Sequence, residues 1–178
     1  MHVYEVMKAN HRALELGARL SRELGTNAYR WLALSGYLHD IGMGIRVFQY
    51  DYDGHELASF WIAYRAFQVL NNSIRGLEPF LYGILAHHTG NIDMRLEYWL
   101  RRLIVSVEDV DYVIGLLRPL KALEGLDIDY LRDFLINDID RLWLALRHMV
   151  RDVYNNPGYR LGSLIAGAIR MAHDGSYP

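Results

Sequence analysis

The sequence predicts an all-α fold, a single-domain helical bundle over residues 1–178, and three observations carry that prediction. Apolar residues recur at spacings near the 3.6-residue turn through most of the chain. No stretch reads as a convincing strand. Helix punctuation at Gly25, Pro79, Pro119 and Asn155-Asn156-Pro157-Gly158 divides the pattern into pieces of helical length. With 178 residues, 52% of them hydrophobic and 22% charged, the chain can bury one sizeable core.

The first helix carries Val3, Val6, Met7, Leu14, Ala18 and Leu24 and stops at Gly25, which puts His11 in mid-helix. A second runs from about Ala28 through Trp31, Leu34 and Leu38 to Asp40, where Ile41-Gly42-Met43-Gly44 breaks it. The His39-Asp40 pair therefore lies at a helix end. Residues 46–54, closing on Asp51-Tyr52-Asp53-Gly54, carry turn chemistry and read as a loop. A third helix opens near His55 and extends to about Leu70. Pro79 suits the first turn of a fourth, which ends at His87-His88-Thr89-Gly90.

A long helix follows Asp93, with Leu96, Leu100, Leu103, Ile104, Val107, Val110 and Ile114 as its apolar stripe, until Arg118-Pro119 stops it. Another runs from Asp129 toward Val153, and a last one ends near Ala172. Trp31, Trp61, Trp99 and Trp143 fall at helical spacing with apolar neighbours and are assigned to the core.

The absence of cysteine excludes disulfides, thiolate nucleophiles and sulfur-ligated zinc, so any metal chemistry uses nitrogen and oxygen ligands. The N-terminus lacks a basic stretch and an apolar signal core, and no run of about 18 apolar residues occurs. A cytoplasmic protein with no membrane partner is expected. A net charge of −2 gives no global attraction to polyanions, so a nucleic-acid contact needs a local basic patch or bound cations.

The informative feature is an ordered series: His11, then His39-Asp40, then His55, then His87-His88, then an aspartate at 109 or 111. Singly, each member has a bland reading. A mid-helix histidine such as His11 is more often a surface or satisfied core residue than a ligand, and a histidine at a helix C-terminus such as His39 gains from the helix dipole. The order of the whole set carries the weight.

That order resembles the HD superfamily of metal-dependent phosphohydrolases over roughly residues 3–118, with Leu38-His39-Asp40-Ile41-Gly42 the most specific local match. The resemblance implies a helical bundle, with residues 119–178 as additional C-terminal helices, and two divalent transition-metal ions. His11, His39, Asp40 and the late aspartate would hold one, while Asp40, His55, His87 and His88 would hold the other. Two nearby cations repel, so a shared carboxylate between them and neutral imidazoles outside make a workable site, and Asp40 is the natural bridge. Asp40 and His39 are the residues expected to be catalytic, and no protein nucleophile is required. Manganese, iron, cobalt, nickel and zinc all suit such ligands.

Residues 109 and 111 point about 200° apart on a helix turning about 100° per residue, so only one can face the site. Asp111 lies near the middle of the stripe set by Ile104, Val107 and Ile114, whereas Asp109 shares a polar face with Arg102, Ser106 and Tyr112. Asp109 is favoured for the cleft and Asp111 is the alternative.

Phe48-Gln49, His55-Glu56-Leu57-Ala58-Ser59 and the doubled His87-His88 are similar to the HD nuclease of type I CRISPR interference. This implies single-stranded DNA as substrate, and a separate helicase and CRISPR effector complex subunits as partners. Glu56 and Ser59 are expected either to orient His55 or to serve only as a helix-start carboxylate and a packing residue. One departure is Met43, where these enzymes usually carry a lysine; Arg46 is a possible substitute phosphate contact. Arg102, with Arg95, Arg101, Arg118 and Lys121, could guide a DNA backbone, although such charges more often form a solvated face. The rival readings are an HD-type hydrolase of small nucleotides such as dinucleoside polyphosphates, with His87 but not His88 a ligand, and an inactive scaffold binding through residues after Leu126.

Overall fold

The computed structural model describes residues 11–25, 27–49, 54–88 and 96–173, with side chains described for all of these except 11–14, 49, 96, 97 and 171–173. Among the described residues the helices are α1 (His11–Leu24), α2 (Ala28–Leu38), α3 (His55–Asn71), α4 (Glu78–Ala86), α5 (Leu96–Arg102), α6 (Val107–Glu124), α7 (Ile128–Ile139), α8 (Leu142–Asn155) and α9 (Gly162–His173). Three short 3₁₀ segments join them, at Ile41–Gly44, Arg46–Gln49 and Pro157–Leu161, and no strand occurs among these residues. The all-α expectation holds. No described helix is long and apolar enough to cross a membrane.

Helix α3 is the central shaft. Every residue from His55 to Tyr64 is buried, as expected of a helix enclosed by its neighbours on all sides. Trp61 donates from Nε1 to Asp138 Oδ2 at 2.8 Å, and Arg65 grips both oxygens of the same carboxylate at 2.6 and 2.7 Å, which fastens α3 to α7. Local signals start the flanking helices: Asn27 and Asp127 accept from backbone N–H groups two or three residues into α2 and α7.

The order of the elements follows the sequence, but four details differ. The helix expected after Asp93 is two helices, because residues 103–106 leave the helix and Ser106 opens α6 in a capping box with Asp109. That break re-phases the stripe: Ile104 is 74% exposed and Val107 is exposed as well. Pro119 does not stop α6, which continues to Glu124 and ends at Gly125 with φ 73°. Leu117 and Leu120 are fully buried on either side, and Arg30 binds Glu124 Oε2 at 2.7 Å beyond it. Those contacts outweigh the cost of about 3 kcal/mol that an interior proline carries. The helix expected from Asp129 to Val153 divides at Asp140-Arg141 into α7 and α8. Trp143 is not core: it is 55% exposed with the Arg147 guanidinium 5.6 Å from its ring, whereas Trp31, Trp61 and Trp99 are buried.

Candidate metal centre

Three helix ends meet at one carboxylate. His39 follows the last residue of α2 and Asp40 comes next, leading into the 3₁₀ turn at Ile41–Gly44. His55 is the first residue of α3, after Gly54 at φ 100°, a left-handed conformation that glycine adopts without strain. A side chain at Gly54 would also meet the Trp99 ring, 3.0 Å from an added Cβ. His87 and His88 follow α4.

Gly42 makes this approach possible. A Cβ there would stand 2.3 Å from the His55 carbonyl oxygen and 2.6 Å from the Ser59 nitrogen, so only glycine lets the turn lie on the start of α3. Ser59 Oγ accepts the Gly42 N–H at 2.8 Å. Ser59 thus holds the turn carrying Asp40 against the helix carrying His55.

Asp40 Oδ1 lies 3.1 Å from His55 Nε2 and 3.2 Å from His87 Nε2, and Asp40 Oδ2 lies 3.1 Å from His39 Nε2. The imidazoles are buried, while the Asp40 side chain keeps 33% exposure and opens toward solvent. Burial alone would push the Asp40 carboxyl up, but His39, His55 and His87, wherever their Nε2 atoms present a proton to it, outweigh burial and hold the carboxyl well below the usual carboxylate range.

Backbone carbonyls orient two of the rings. His39 Nδ1 lies 2.9 Å from Gly36 O and His87 Nδ1 lies 2.6 Å from Ile84 O. A carbonyl only accepts, so both Nδ1 atoms carry the proton, and in the neutral ring each Nε2 then turns a lone pair toward Asp40. Lone pairs facing a carboxylate repel it. A cation among them, either a proton on the ring or a metal ion, reverses the sign. Asp40, His55, His87 and His88 each offer a ligand atom, all within 4.8 Å of one another, and three nitrogens with one oxygen suit a divalent transition metal. This group is one of the two ligand sets that the resemblance implies.

The other expected ligands are placed differently. The His11 side chain lies outside the described residues. His39 touches Asp40 but is not in the group of four. Asp109, also outside that group, is buried and accepts the backbone N–H of Arg46 at 3.0 Å while capping α6 through Ser106. Asp111 is exposed and paired with Arg132 at 2.6 Å, on the other side of α6. Asp109 is therefore the one of the two that faces the segment after the HD pair. Ile104 and Val107, the stripe residues beside Asp111, are exposed rather than buried.

Arg46 has its guanidinium 3.9 Å from Asp109 and is mostly exposed, and Arg102 lies over the Tyr98 ring. Arg118 and Lys121 line a pocket with Asp111 and Arg132, whereas Arg101 lines another with Trp143, so among the described residues these cations do not share one pocket; Arg95 lies outside the described residues. Phe48 is core. Arg170, which no sequence motif marks, holds the site from outside by donating from Nε to the His87 carbonyl at 2.8 Å.

Beside Asp40 a cleft of about 340 Å³ is walled by Tyr37, Ile41, Met43, Gly44, Tyr112 and Leu116. Met43 makes this wall apolar where a lysine would have made it cationic. Burial pushes the Tyr37 hydroxyl pKa up, and the hydroxyl donates to the Leu116 carbonyl at 2.7 Å. No protein-family model matches the chain, nor does any curated protein or solved structure, so the centre is read from its own geometry.

Proposed function

We propose that this protein is a metal-dependent phosphohydrolase that cleaves phosphodiester bonds in nucleic acid, with single-stranded DNA as the substrate. The observation that carries the reading is the convergence of His39, His55 and His87 Nε2 on the Asp40 carboxylate, with His88 alongside. Asp40, His55, His87 and His88 would hold the cation, and His39 would fix the Asp40 carboxylate from its second oxygen. A divalent ion bound there supplies Lewis-acid polarisation of a phosphoryl oxygen and a water of lowered pKa. The protein's own contribution is a preset carboxylate, ionised at neutral pH, with oriented imidazoles around it.

His88 bears on the choice between rivals. Its place in the group of four supports the doubled-histidine pattern, whereas the small-nucleotide reading needs only His87. Action beside a separate helicase within a CRISPR effector complex is the biological setting that this reading carries, by resemblance alone.

The test is to strip the protein of metal and resupply manganese, iron, cobalt, nickel, zinc or magnesium with circular single-stranded DNA, duplex DNA and a panel of nucleotides. Metal-dependent cutting of the circle, lost in Asp40→Ala, is the expected result. Nucleotide turnover without DNA cleavage overturns the nuclease reading, and silence on every substrate favours the scaffold.

A further inference from the structure

The cleft beside Asp40 has walls unsuited to phosphate. Among the described residues that line it, Asp40 alone is charged, and the rest offer two phenol rings, a thioether and aliphatic carbon. An anion gains nothing there, but a flat, uncharged group does. At about 340 Å³ the cleft lies at the small end of the roughly 300–1,000 Å³ typical of ligand pockets, which suits one nucleoside rather than two.

The walls are held in place. The Tyr37 hydroxyl is tied to the Leu116 carbonyl, so this ring bridges α2 and α6. Gly44 lets α6 come close, since a Cβ there would lie 3.0 Å from Val113 Cγ2 and 3.4 Å from Tyr112 Cδ1. Tyr112, 56% exposed, presents its ring at the rim. An exposed aromatic face beside a candidate phosphate-cleaving centre is a stacking platform, and stacking tolerates any base.

We propose that this cleft is a nucleobase pocket: it holds one base of the nucleotide whose phosphate lies at Asp40, with Tyr112 as the stacking face and Tyr37 and Met43 as the wall behind. The phosphate end of this assignment rests on the phosphohydrolase reading; the base end rests on the cleft itself.

Two probes separate the ends. Deoxyadenosine 5′-monophosphate and 2-deoxyribose 5-phosphate share the phosphate and differ in the base, and both are titrated calorimetrically into the manganese-loaded full-length protein. Wild type is expected to prefer the nucleotide, and that preference should fall about tenfold to a hundredfold in Tyr112→Ala and persist in Tyr112→Phe. Equal binding of the two probes by wild type, or an unchanged preference in Tyr112→Ala, overturns the pocket. If Tyr112→Ala does not fold, Tyr112→Leu carries the same comparison with apolar bulk retained. Cleavage of bis(4-nitrophenyl) phosphate by wild type is measured separately. Its absence with every metal counts against the phosphohydrolase reading, while the base preference still decides the pocket.

Discussion

Arg170, on the last helix, donates from Nε to the backbone carbonyl of His87 at 2.8 Å, so His87 is held from two directions. Its ring is fixed by Ile84 O and its main chain by a residue 83 positions later. The same two helices pack closely at Gly83, where a Cβ would stand 2.5 Å from Ile165 Cγ2. The C-terminal helices thus buttress the centre.

Arg170→Ala is expected to cost about 1 kcal/mol of stability, the worth of one hydrogen bond, and to weaken manganese binding by loosening His87. Gly83→Ala should cost more, about 1–3 kcal/mol, because Ile165 must move. Urea unfolding of the metal-free protein and manganese titration check both. Unchanged manganese affinity in Arg170→Ala would mean that α4 alone holds the ring.

Gly42 and Ser59 make a graded pair. Ser59→Ala removes the acceptor of a buried N–H and should destabilise by about 1–3 kcal/mol while leaving the fold intact. Gly42→Ala forces a carbon against the backbone of α3 and should cost more than Ser59→Ala, separating Asp40 from His55. Far-ultraviolet dichroism with urea titration ranks them; the reverse order would show that the turn can shift away without penalty.

Much of this was legible beforehand because the signals are local. Gly25 and Pro79 mark helix ends through their own backbone preferences, and the histidines at 39, 55 and 87 fall at helix ends. What the sequence hid depends on distant partners. Pro119 is tolerated because Leu117 and Leu120 are buried by other elements, which no local rule can register. Ser106 is a cap written plainly in Ser106-Val107-Glu108-Asp109, but a continuous stripe across residues 96–114 masked it and so misplaced Asp111. Arg170, near the end of the chain, carries no motif at all.

Asp138 accepts from both Arg65 and Trp61 in a buried setting. Asp138→Ala leaves a guanidinium and an indole N–H without their acceptor and should cost about 3–5 kcal/mol. Replacing Arg65 and Asp138 together by Met and Leu should recover most of that loss. Chemical denaturation of the single and double variants gives the coupling; additive costs would show that the pair does not act as a unit.

The Asp109 carboxyl provides a pH signature. Burial works to raise its pKa, but the Ser106 and Arg46 backbone N–H groups, the Ser106 hydroxyl and the Arg46 charge outweigh it and hold it below the ordinary value. A carboxyl depressed in the folded state stabilises the fold above its unfolded pKa, about 3.9, and that contribution drains away as pH falls through this value toward the folded one. Stability should therefore drop less between pH 6 and pH 3 in Asp109→Asn than in wild type, with Asp40 supplying a remainder of the same sign. Parallel curves for the two proteins would remove Asp109 from the account.

Glu56 makes the sharpest test of the metal reading. It is buried, its Oε2 has no hydrogen-bond partner, and that oxygen lies 3.7 Å from His55 Nδ1. An unsatisfied buried carboxylate oxygen is costly, so its retention asks for a use. His39 and His87 each close a helix and donate the Nδ1–H to a carbonyl three residues back. At His55 the neighbouring Glu56 carboxylate stands beside Nδ1, where it can accept the Nδ1–H once Nε2 is committed to a cation. A carboxylate in that position makes the ring a stronger ligand, and losing it typically weakens metal affinity about 10- to 100-fold. Glu56→Gln is expected to show that loss while the metal-free protein becomes no less stable, because the amide removes a buried charge. A variant that unfolds more easily but binds manganese as wild type does would instead assign Glu56 to packing.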